Sequence, residues 1–207
     1  STPRTLIKYC FKLLDKFPED TENLYYVFSM LSSLDKKTPL EKFVLYVERY
    51  LANDEKNKSI YLGLTYFRLF NFKKSIELLT NVLKSDPINP RCLLFLSLNH
   101  LLMGNEKDFI NVSSMIIPTS DSLFMSVYFI NCSFSGFDMD KKEFPNQKEI
   151  SKSTSKLLDL LLKNEQFKVV EHILSSFKKM DYYSILPSLP FYFCETFILN
   201  NFLIKKK

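Results

Sequence analysis

Residues 56–89, KNKSIYLGLTYFRLFNFKKSIELLTNVLKSDPIN, constrain the fold more than any other stretch, because they read as two helices folded back on each other and closed by a proline. With Lys56 as the first of 34 positions, Gly63 falls at position 8, Tyr66 at 11, Phe72 at 17, Ser75 at 20, Leu79 at 24 and Pro87 at 32. Gly63 and Ser75 are the small residues that two helices need where they cross closely. Tyr66, Phe72 and Leu79 are large enough to fill the space around that crossing. Pro87 cannot extend the second helix and turns the chain onward. The punctuation recurs, since Pro18, Asn53 and Pro87 stand 35 and 34 residues apart, each after an apolar helix with lysines near its end.

This set of positions resembles a tetratricopeptide repeat, with departures at position 15, where Phe70 replaces the usual Gly, and at position 27, where Val82 replaces Ala. The resemblance implies an all-α fold, a tetratricopeptide-like α–α superhelix in which helical pairs stack as a right-handed solenoid. Residues 1–135 are expected to hold the repeats: helices over 5–17, 21–34 and 39–51, the pair at 56–89, and a third copy from Pro90 with Gly104 at its position 15. Residues 122–137 carry no charge and read as a buried helix. Residues 136–149, GFDMDKKEFPNQKE, mix charge with Gly and Pro as a loop or linker. Residues 150–207 are expected to add a further helix pair and a final apolar helix, FYFCETFILNNFLI, on the same solenoid.

Composition agrees with helix. Hydrophobic residues make up 46% of the 207, with 20 Phe, 11 Tyr and only 3 Gly, which suits a continuous core and not a loop-rich β fold. The net charge of +5 is spread along the chain, so nucleic acid is a weak expectation. Cys10, Cys92, Cys132 and Cys194 lie far apart, with no C-x-x-C pair and no close His, and suggest neither a zinc site nor a disulfide framework. Reduced, buried thiols point to a cytoplasmic or nuclear protein. The first ten residues lack the apolar run of a signal peptide, and no run of about 18 apolar residues offers a membrane span.

Catalytic patterns are missing. His100, at position 11 of the third copy where Tyr66 stands in the second, reads as a packing residue, and His172 as a boundary residue on an amphipathic helix. No nucleophile elbow, glycine-rich phosphate loop or H-E-x-x-H is present. Asp138, Asp140 and Glu143 lack the spacing and turn glycine of a calcium loop. Neither an enzyme nor a cofactor is expected.

The resemblance instead directs attention to the concave surface. In the family, positions 2, 5, 9 and 12 of the first helices face the ligand, which here selects Tyr25; Ile60, Leu64 and Phe67; and Arg91, Leu94, Leu98 and Leu101. A Lys–Asn clamp for chaperone tails is absent, because Tyr25 and Ser29 occupy its positions. The remaining set is mostly apolar, and an empty apolar groove is costly at about 25 cal/mol per Å². A partner helix, a second copy of the chain or a tight curl of the solenoid would fill it. The expected function is a non-enzymatic protein–protein interaction scaffold in a multi-subunit assembly, as a homodimer or obligate complex, of which the repeat subunits of the anaphase-promoting complex, a cell-cycle assembly, are one instance. The alternatives are a transient peptide-binding adaptor in protein targeting or membrane traffic, and an RNA-associated helical repeat.

Overall fold

The computed structural model describes residues 2–18, 20–34, 36–117, 121–136 and 146–182. Among them the chain is helical throughout: α1 (Pro3–Lys16), α2 (Thr21–Ser32), α3 (Lys37–Tyr50), α4 (Glu55–Arg68), α5 (Phe72–Ser85), α6 (Pro90–Leu102), α7 (Glu106–Ser113), α8 (Ser122–Ser135), α9 (Gln147–Lys163) and α10 (Phe167–Lys179). The expectations for residues 137–145, for Cys194 and for the final helix lie outside the described residues. Two compact units divide at Asn99 and His100.

In the first unit, Ser1–Asn99, α2 packs on α1, α3 and α4, and α5 folds back on α4. Helix starts follow from short polar side chains that satisfy the free N–H groups of the first turn. Asp20 accepts from the amides of Glu22 and Asn23, Asp54 from that of Asn57, and Asn71 from that of Lys74. The α4–α5 crossing is as close as its small residues allow. A methyl group on Gly63 would stand 2.7 Å from Leu79 Cδ2. Ser75 Oγ donates to the Gly63 carbonyl at 2.8 Å and accepts from Asn99 Nδ2 at 2.9 Å, so one buried hydroxyl ties three helices together. Tyr66, the position 11 residue, holds the Lys74 ammonium at 2.7 Å through its hydroxyl.

The second unit, His100–Lys207, packs α7, α9 and α10 around α8. The uncharged stretch from Ser122 is this central helix, and most of its residues are buried. Ser126 takes the place of a close-crossing residue: its Oγ donates to the Ser122 carbonyl at 2.7 Å and accepts from Thr154 Oγ1 at 3.0 Å. Phe129, Phe177 and Tyr182 meet edge-on and close the core.

One backbone device recurs after α4, α6 and α9. Phe70, Gly104 and Glu165 have φ of 60°, 72° and 61°, the left-handed region that favours glycine. In each case the next amide reaches five residues back, Asn71 to Tyr66, Asn105 to His100 and Gln166 to Leu161, at 2.9–3.0 Å. The same turn thus closes the first helix of each pair. Only Gly104 occupies it without steric cost.

Candidate functional site

The eight residues selected for the concave surface do not share one environment. Ile60, Leu64, Phe67, Leu94, Leu98 and Leu101 are at most 6% exposed, whereas Tyr25 is half-buried and Arg91 exposed. Of the three ways in which this apolar set could be filled, burial within the chain is the one these residues show, and in the first unit the chain's own rings supply it. Phe95 on α6 meets Phe67 on α4 edge-on at 5.2 Å and Phe28 on α2 at 6.2 Å, so three helices converge on one aromatic cluster.

What stays accessible lies at the N-terminal ends of α2, α4 and α6. Thr21, then Lys56, Asn57, Ile60 and Tyr61, then Asn89, Pro90 and Arg91 line a cleft of about 360 Å³. Tyr61 donates its hydroxyl hydrogen bond to the Thr21 carbonyl, joining α4 to α2 across the cleft wall. Its phenol is pushed up by burial, against the opposing pull of Arg91. The Arg91 guanidinium lies over the Tyr25 ring at 3.9 Å, a cation–π contact at the rim.

An Asp-x-x-Asn pair stands beside each helix start, at Asp20 and Asn23, Asp54 and Asn57, and Asp86 and Asn89. In all three the Asn Nδ2 donates to the Asp carboxylate, at 2.9, 2.7 and 3.0 Å. Lys56 reaches Asp86 at 3.0 Å, and the Asn89 and Lys56 hydrogen bonds hold that carboxyl below its ordinary value. Lys56 and the asparagines are thus engaged with carboxylates. Arg91, the other cation of the lining, makes no ion pair among the described residues; it lies over the Tyr25 ring and shares a hydrogen bond with Tyr61.

His100, His172 and the three described cysteines are not among the residues that line this cleft. His100 is half-buried, 3.9 Å from Asp108; burial pushes its pKa down and Asp108 opposes the shift. His172 is exposed and stacks on Phe134 at 4.8 Å. Cys10, Cys92 and Cys132 are buried free thiols raised by desolvation, Cys92 to about 12, which keeps them protonated and unreactive. Among the described residues no three His, Cys, Asp or Glu side chains group as metal ligands, and no helix is long and apolar enough to cross a membrane. No protein-family model, curated protein or solved structure matches this chain.

Proposed function

We propose that this chain is a protein-binding helical-repeat scaffold of the tetratricopeptide kind, working inside a multi-subunit assembly and using the cleft at the starts of α2, α4 and α6. The observation that carries the reading is the contrast on the concave surface. Six of the eight expected contact residues are consumed by internal packing, and the two that remain accessible, Tyr25 and Arg91, are stacked together at the rim of the cleft. A rigid guanidinium beside Tyr61 and Ile60 suits an extended segment that presents a carboxylate or main-chain carbonyl together with a small apolar side chain. The recurring left-handed turn at Phe70, Gly104 and Glu165 supports the repeat register from which Tyr25 and Arg91 were selected.

The partner is a protein subunit, a second copy of the chain included. The test is isolation of the native chain with quantitative mass spectrometry of what accompanies it, for wild type and for Tyr25→Ala with Arg91→Glu. Wild type is expected to retain a stoichiometric protein partner, and the variant to lose it with an unchanged melting midpoint. A partner kept equally by both, or no protein partner at all, would overturn the proposal. A short peptide in place of a stable subunit would favour the adaptor alternative, and its rapid dissociation would separate the two.

A further inference from the structure

α1 carries two parallel stripes on its outer surface. Leu6, Tyr9, Leu13 and Phe17 recur at helical spacing on one face; Tyr9 is 60% and Phe17 43% exposed, and Leu6 and Leu13 are half-buried. The adjoining face, with Cys10 and Leu14, is fully buried within the first unit. On the other side of the apolar stripe, Arg4, Lys8, Lys12 and Lys16 follow one another every four residues, all exposed. None of the four makes an ion pair among the described residues, and Asp15 is the one acid on the helix. Like charges at this spacing repel along a helix. Among the described residues α1 therefore shows an apolar ridge, touched by the Lys16 ammonium 5.3 Å over the Phe17 ring, beside a row of cations that make no ion pair.

We propose that this face is a docking surface for an acidic amphipathic helix of a partner protein, whose apolar ridge packs along Leu6, Tyr9, Leu13 and Phe17 while its carboxylates face the basic row. The stripe spans about 17 Å, or three turns, the length over which a short helix engages a facing ridge. Spacing argues against single-stranded RNA. Tyr9 and Phe17 are about 12 Å apart along the axis with Leu13 between them, whereas successive bases need stacking partners a few ångströms apart. Depth argues against a membrane. An interfacial helix sinks its apolar face about 5–10 Å into the lipid, and half-buried Leu6 and Leu13 do not project for that.

This surface shares with the scaffold reading only the premise that the chain binds protein, and it uses none of the cleft residues. The probe is a labelled synthetic helix of about 14 residues with leucines on one face and glutamates flanking them. A scramble of the same composition, an oligouridine and phosphatidylserine-containing vesicles serve as comparisons. Saturable binding of the helix is expected, weakened by salt and reduced about tenfold by Lys8→Glu with Lys12→Glu, and comparably by Tyr9→Ser with Phe17→Ser. All four positions are exposed, and far-ultraviolet circular dichroism checks that each variant stays helical. The cleft variant Tyr25→Ala with Arg91→Glu is expected to bind the probe as wild type does, so the two readings fail separately. Binding no stronger than the scramble, insensitivity to both α1 variants, or tighter binding of oligouridine or vesicles through these residues would overturn the proposal.

Discussion

Gly63 is the position where one added methyl group asks most of this structure. Its Cβ would lie 2.7 Å from Leu79 Cδ2 and 2.8 Å from Cγ, against an ordinary contact of 3.4 Å or more. Cγ is a branch point and not a flexible tip, and Leu79 is fully buried, so no simple rotation clears both atoms. Overpacking of this kind costs about 1–3 kcal/mol, while alanine returns about 1 kcal/mol of helix propensity. Gly63→Ala is then destabilising by up to about 2 kcal/mol in the native background. Leu79→Ala alone costs about 2–5 kcal/mol as a cavity, but it removes both clashing atoms. In that background Gly63→Ala should become stabilising by about 1 kcal/mol, a coupling of about 1–3 kcal/mol between the two sites. Hydrogen exchange of the α4 and α5 amides reads the local opening free energy for all four members of the cycle. An effect of Gly63→Ala that is the same in both backgrounds would refute the close crossing and, with it, the register that places Gly63 opposite Leu79.

The left-handed turns give a prediction of opposite sign: Phe70→Gly and Glu165→Gly should each stabilise by about 1 kcal/mol, read as raised denaturation midpoints, since a side chain is strained at their φ of 60° and 61°. Leu64→Glu, in the filled inner face, should cost about 3–5 kcal/mol as an unpaired buried charge, and light scattering with thermal melts should show unfolding in place of clean dissociation. Cys92, held protonated in the fold to about 12, binds its proton more tightly folded than unfolded, so its contribution is intact below pH 9 and lost as pH rises toward 12; urea titrations should lose about 1 kcal/mol from this group by pH 10, and Cys92→Ser should flatten that decline.

The helical pair at 56–89 could be read from the chain because its small and large residues sit at fixed spacings, and the crossing at Gly63 and Ser75 is a local consequence of them. The turn that follows α4, α6 and α9 was legible only at Gly104. Phe70 and Glu165 hide the same left-handed conformation, because hydrogen bonds to the preceding turn, such as Asn71 to Tyr66, hold a side chain where glycine is cheaper. That Ile60, Leu64 and Phe67 share one face was implied by the resemblance, but whether they line an open groove depends on Phe28 and Phe95, which meet across 67 residues of sequence. Local pattern carries no information on such a convergence. The cleft left a sequence mark that composition obscured: three Asp-x-x-Asn pairs at the starts of α2, α4 and α6, in a chain where Asn is common enough to make each one unremarkable alone.

The central claim is that the chain acts by holding protein at the accessible ends of α2, α4 and α6, with its inner face already filled. Hydrogen exchange of the isolated chain against the same chain in its native assembly tests this most directly. The account predicts slower exchange in the first turns of those helices, around Thr21–Tyr25, Asn57–Tyr61 and Arg91–Phe95, with no new protection at the buried Leu64 and Phe67 amides, which are already slow. Protection that spares these helix starts, or an assembly that leaves exchange unchanged throughout residues 2–99, would contradict it.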